Sequence, residues 1–173
     1  MSEKEELVDV YDENKCKTNK VIKRKDKDLL DENEFILAVH CWIINSKKEI
    51  LITRRSLNKN RGGMWEDTHG GVQSGETSMQ AMRRELKEEI GLDVKEEELK
   101  LVRSLKRKNI YRDCYVLFKD IDIKDISFND NEVMDCKYVS LEKFEEMIKM
   151  GESTFKDIAQ TNLKELIYEC KNS

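Results

Sequence analysis

At 173 residues, 38% apolar and 39% charged, the chain is long enough for one domain with a real core, and a second domain is not expected. A formal net charge of −4 argues against general affinity for nucleic acid. No run approaches the roughly eighteen apolar residues of a membrane span, and the opening MSEKEELVDV has neither a basic nor an apolar signal region, so a cytoplasmic protein is expected. Cys16, Cys41, Cys114, Cys136 and Cys170 are odd in number, widely spaced and free of any C-x-x-C pair, which reads as reduced structural thiols rather than a disulfide framework or a zinc site.

In chain order, residues 7–11 and about 18–24 read as two strands of a hairpin, so that 1–34 forms a hairpin and loop packed on a domain spanning 35–173. Residues 26–34 are charged and expected as a loop. The near-continuous apolar run over 35–44, FILAVHCWII, and the short run over 50–53 predict two buried strands at the centre of a sheet. His40, inside the first run, is expected as a packed or hydrogen-bonded residue rather than a ligand. The loop over 58–64 leads into Trp65, expected in the core rather than as a cleft wall, and a short segment continues to Val72.

An acid-rich helix is predicted from about Glu76 to about Ile90, with Ser74 or Gly75 near its N-cap and Gly91 just past its end. At about 100° per residue, Met79, Met82, Leu86 and Ile90 form an apolar stripe, while Glu85, Glu88 and Glu89 share another face. The charges on that helix are not interleaved. Glu85 with Glu88 and Glu89, and Arg83 and Arg84 with Lys87, are like-charge pairs at contact spacing, and only Arg84 with Glu88 attracts, in the weaker orientation. A hard divalent cation such as Mg²⁺, which takes oxygen ligands, would turn that repulsion into binding.

Beyond the helix, residues 101–105, 110–118 and 133–139 read as strands, and 141–150 and 157–171 as helices, the last with an apolar stripe of Leu163, Leu166, Ile167 and Cys170. Tyr111 and Tyr115 share a strand face and suit either base stacking or the core. The sum is an α+β sandwich with strands interleaved among helices. Two windows are basic. Residues 47–61 carry six basic side chains against Glu49, and 103–112 carry five against none, so each sums to +5. Both fit solvated strand edges, and both fit a phosphate-binding surface beside a metal.

Gly70, Glu76, Arg84, Glu85, Leu86, Glu88, Glu89, Gly91 and Leu92 match every fixed position of the Nudix box, and the segment over 35–150 resembles the Nudix hydrolase superfamily. The resemblance implies a Nudix-type α/β/α sandwich with a mixed sheet. It also implies hydrolysis of nucleoside diphosphates linked to another group, with Mg²⁺ or Mn²⁺. By that likeness Glu88 and Glu89 are metal ligands helped by the Gly70 carbonyl, Glu85 is the base or a further ligand, Arg84 orients it, and Glu76 supports the loop–helix unit with Gly91. Glu132, an acid just before a strand, matches a further family ligand at one residue, against a reading as a solvated loop side chain.

The runs ELVDVYDENK, AVHCW and TRRSLNKNRGGMW further resemble the Nudix branch that contains isopentenyl diphosphate isomerase. In that branch Arg55 and Lys59 correspond to residues that hold a diphosphate. In a hydrolytic mechanism Arg55, Lys59 and Arg112 would steer and hold the polyphosphate. The chain departs from the isomerases in having Gly70 about where they place a nucleophilic cysteine, and Ile36 and Leu37 where the branch often has His-Arg. With the box glutamates intact, a pyrophosphohydrolase acting on a small diphosphate or nucleotide is the reading, and a homodimer is compatible with it. An isomerase-like enzyme and a non-catalytic nucleotide-sensing module are the alternatives.

Overall fold

Strand β1 (Leu7–Tyr11) pairs antiparallel with β2 (Lys17–Lys23) in a two-stranded sheet of their own. The structure, a computed structural model, describes residues 5–129 and 131–169. The charged segment after β2 is not loop throughout. It opens with a 3-10 helix over Arg24–Leu29, anchored where Arg24 N–H donates to the Glu6 carbonyl at 2.8 Å and Arg24 Nη1 to the Glu6 carboxylate at 2.7 Å.

Strand β3 (Ile36–Ile44) lies at the middle of the second, seven-stranded sheet. Its apolar run lacks alternation because both faces are covered: Leu37, Val39, Cys41 and Ile43 enter one core, and Trp42 and Ile44 the other. The chain continues through β4 (Ile50–Arg55), β5 (Trp65–Glu66), β6 (Thr68–Gly71), helix α1 (Ser78–Ile90), β7 (Lys100–Arg107), β8 (Ile110–Phe118), β9 (Val133–Val139) and helices α2 (Leu141–Lys149) and α3 (Leu163–Glu169). One edge of β3 runs parallel to β8, which β7 flanks antiparallel. The other edge is shared, because β6 takes Ala38–Cys41 and β4 takes only Ile43 and Ile44 before diverging to pair with β5 and β9.

Helix α1 covers one face through Ala81, Met82, Leu86 and Ile90, packed with Val39, Tyr111, Tyr115 and their neighbours. Both tyrosines take the core alternative: Tyr111 Oη donates to the Glu13 carbonyl at 2.6 Å and Tyr115 Oη lies 2.8 Å from Ser78 Oγ. Helices α2 and α3 cover the other face through Phe144, Met147, Ile148, Leu163 and Leu166, and Trp65 joins that core. The result is an α+β sandwich with a mixed sheet.

The C-terminal helix is shorter than 157–171. Asp157 caps a 3-10 turn over Ile158–Gln160, Thr161 Oγ1 donates to the Ile158 carbonyl at 2.6 Å, and Asn162 sits at φ 61°, so α3 starts at Leu163. Cys170, the last residue of the predicted stripe, lies outside the described residues. No helix among the described residues is long and apolar enough to cross a membrane.

Candidate active site

The loop ahead of α1 is held from a distance. Asp9 on β1 accepts from Ser74 Oγ at 2.7 Å and from the Gly75 N–H at 3.1 Å, and Ser74 N–H donates to the Leu7 carbonyl. These contacts occupy the two residues expected near the N-cap, and Gly75 takes φ 86°. The cap is instead Thr77, whose hydroxyl accepts from Gln80 N–H while the Gln80 side chain accepts from Thr77 N–H, a capping box. Gly91 ends the helix in the left-handed region at φ 70°.

Glu85 and Glu89 are buried on α1 beside Met82, Leu86 and Ile90, while the Glu88 side chain is 48% exposed. Gly70 makes room for Glu85: a Cβ on Gly70 would fall 2.0 Å from the Glu85 carboxyl carbon. Any side chain there would evict the carboxylate. Arg84 gathers the surrounding acids. Its Nε and Nη2 hold Glu76 at 2.8 and 3.0 Å, Nη2 also donates to the Gly71 carbonyl at 2.8 Å, and Nη1 reaches Glu85 at 2.7 Å and Glu88 at 3.0 Å. These five bonds use all five guanidinium N–H groups. The other two cations turn away from the acids of the face, Arg83 to the Val94 carbonyl and Glu96, Lys87 to Asp93.

Burial pushes the Glu85 carboxyl up to about 7, with Arg84 opposing and Glu88 adding to the rise. Burial also acts to raise Glu76, but the Arg84 guanidinium and the Gln73 N–H outweigh it and hold this carboxyl below its ordinary value. Two acids on one guanidinium are thus pushed apart, Glu85 upward and Glu76 downward.

A cleft of about 310 Å³ opens beside the box, with Gly70, Arg55 and Arg112 on its walls. The box glutamates are not among its described lining residues. Arg55 Nη1 holds the buried Glu66 carboxylate at 2.6 Å, and burial raises Glu66 despite that partner. Lys59 and Glu132 are brought together, Nζ to Oε1 at 2.5 Å, on the partly exposed surface and outside the cleft's described lining. Arg55 and Arg61 from the first basic window and Arg112 from the second line the cleft, whereas Lys106 and Arg107 of the second are exposed on the edge strand β7.

Among the residues lining the cleft, sequence reasoning missed Arg24, Glu66, Asp67 and His69. For the last three the signal was the short EDTH run itself, two acids and a histidine in a segment that must form strand. Arg24 carried no local signal, since only the docking of the N-terminal hairpin brings it there. His40 is hydrogen-bonded, its Nδ1 lying 3.0 Å from Asp67 Oδ2.

A family model for the NUDIX domain matches residues 34–159. The uncharacterized Nudix hydrolase lin0387 of Listeria innocua is 32% identical over 146 residues, which is 83% of this chain and 85% of that protein. This chain belongs to the Nudix hydrolase family. The crystal structure of DR0079 from Deinococcus radiodurans superimposes with a TM-score of 0.73 at 26% identity, over 95% of this chain and 99% of that one. An isopentenyl-diphosphate Delta-isomerase of Klebsiella pneumoniae is 32% identical over 113 residues, 61% of each chain.

Nudix enzymes generally work with a divalent cation, and the box of this chain has the donors for one. The carboxylates of Glu85, Glu88 and Glu89 project from one helix, the seat of Glu85 is kept open by Gly70, and every donor is an oxygen, the ligand class of hard cations.

Proposed function

We propose that this Nudix hydrolase is a cytoplasmic pyrophosphohydrolase, dependent on Mg²⁺ or Mn²⁺, that cleaves a phosphoanhydride in a nucleoside diphosphate-linked or related diphosphate compound. The observation that carries the reading is the complete box, with the Glu85 carboxyl seated against Gly70 and tied to Arg84. Glu88 and Glu89, with the Gly70 carbonyl, would hold the cation, joined by Glu85 and by Glu132 once its ion pair with Lys59 opens. A cation held there would supply charge neutralisation at the phosphate oxygens and at the leaving phosphate. Glu85 removes a proton from the attacking water, and Arg84 fixes the direction in which that carboxylate points. Arg55, Arg112 and Lys59 supply positive charge to the polyphosphate, Arg55 and Arg112 from the cleft lining and Lys59 from the loop position before Asn60.

The likeness to isopentenyl-diphosphate isomerase favours a second reading, isomerisation of an allylic diphosphate. That chemistry needs a proton donor and acceptor on opposite sides of a carbon skeleton. The isomerase thiol has no counterpart at Gly70, and no cysteine is among the described residues lining the cleft.

The test is turnover, with Mg²⁺ present and phosphate release detected, of nucleoside di- and triphosphates, nucleotide sugars, dinucleotides and coenzyme A. At least one is expected to be cleaved, with Glu89→Gln slower by roughly a hundredfold or more, beyond the cost of losing a mere support of a metal ligand. Activity indifferent to the cation and to Glu89→Gln rejects the reading.

A further inference from the structure

The chain has two histidines, and the fold makes them neighbours. His40 on β3 and His69 on β6 are directly paired in the antiparallel ladder, so their side chains leave the same face of the sheet. Asp67 precedes His69 by two residues and joins them: His40 Nδ1 lies 3.0 and 3.2 Å from its two carboxylate oxygens, and His69 Nδ1 lies 3.6 Å from Oδ1. The imidazoles stack at 5.0 Å and 9°. One ligand atom from each of the three side chains falls within 4.8 Å of the others, and among the described residues no box glutamate belongs to a set this tight.

The face matters. His40 alternates with Val39 and Cys41, which pack under α1, and shares its side with Trp42 and Ile44, which pack under α2 and α3. The cluster therefore stands across the sheet from the box helix, and all three residues line the 310 Å³ cleft, so solvent ions reach it. The Asp67 side chain is only 2% exposed, and among the described residues its ion-pair partners are these two imidazoles. A buried carboxylate calls for a full positive charge nearby. Neither imidazole carries a permanent one, and a divalent cation does. His69 Nδ1 donates to the Asp67 carbonyl at 3.2 Å, the kind of hydrogen bond that orients a ligating histidine and leaves Nε2 for the metal.

We propose that His40, Asp67 and His69 form a second cation site, for a metal of the zinc class, separate from the box. Two nitrogens and one oxygen suit Zn²⁺ or Co²⁺, whereas Mg²⁺ takes oxygen alone. Bonds of about 2.0 to 2.1 Å in a tetrahedral site place ligand atoms about 3.3 Å apart. Rotation of the two imidazoles draws the present set in by the remaining distance. Three protein ligands leave a fourth position open to the cleft.

The full-length protein, made without a histidine tag and stripped with chelator, is titrated with Zn²⁺ while the imidazole nitrogens are followed by NMR, where two histidines give two ring systems. Both rings are expected to shift together and saturate near one equivalent, in the wild type and equally in Glu88→Gln/Glu89→Gln, whose box is disabled. Co²⁺ is expected to give the intense visible bands of a low-coordinate nitrogen-bearing site, and His69→Gln to weaken Zn²⁺ binding at least tenfold. Ring signals unmoved by Zn²⁺, or Zn²⁺ uptake that disappears with the box variant, overturn the proposal. Neither result bears on hydrolysis, so the two readings fail separately.

Discussion

Glu85 shows how one residue's surroundings set its chemistry. Its carboxyl is buried between the Gly70 backbone and α1, and desolvation outweighs the Arg84 guanidinium, so it titrates near 7 instead of its ordinary 4.5. A carboxyl whose pKa is raised by folding binds its proton more tightly in the native state. Its contribution is fully present below 4.5 and is lost as pH rises through about 7. In chelator, the wild type is therefore expected to lose about 3 kcal/mol between those limits relative to Glu85→Gln, which cannot ionise. Thermal melts of both proteins across that window check it, and a flat difference contradicts it. Arg55 carries a different lesson. Read as a phosphate contact alone, its loss should weaken substrate binding with little cost to stability; paired with the buried Glu66, its removal also strands a carboxylate, so Arg55→Ala has to be judged beside Arg55→Ala/Glu66→Gln.

Helix α1 was legible in its period and its end, because Met82, Leu86, Ile90 and Gly91 are local signals. Its start was not. Ser74 and Gly75 look like cap residues in the sequence, yet Asp9, sixty-five and sixty-six positions away, takes both for itself and passes the cap to Thr77. Thr77→Ala removes the hydroxyl that accepts from Gln80 N–H and is expected to cost about 1 kcal/mol, a fall of about 2–4 °C in Tm for a chain of this size. An unchanged Tm in the melting curve would return the cap to the loop residues. Helix α3 failed at its start for a similar reason: Thr161 bonds back to Ile158, and Asn162 takes a positive φ that no apolar stripe announces.

Across the whole molecule, the split edge of β3 decides what the chain can do. One half receives β6 and so carries Gly70 to the Glu85 carboxylate on the α1 face and His69 to the cleft; the other receives β4, which goes on to pair with β5 and β9. The sandwich could be read from the apolar runs and the box from its spacing. The cleft's composition could not, because Arg24 arrives with the hairpin, and Asp67 and His69 matter only once β6 is laid against His40. The central claim is that the intact box makes this a cation-dependent hydrolase of phosphoanhydrides and not an isomerase. Its most direct test is the reaction in ¹⁸O-labelled water with Mg²⁺, over the nucleotide panel and isopentenyl diphosphate, read by mass spectrometry of the products. The account predicts label on a phosphate product of at least one nucleotide-type compound, and no conversion of isopentenyl to dimethylallyl diphosphate. Interconversion of those two isomers with no labelled phosphate from any member of the panel would contradict it.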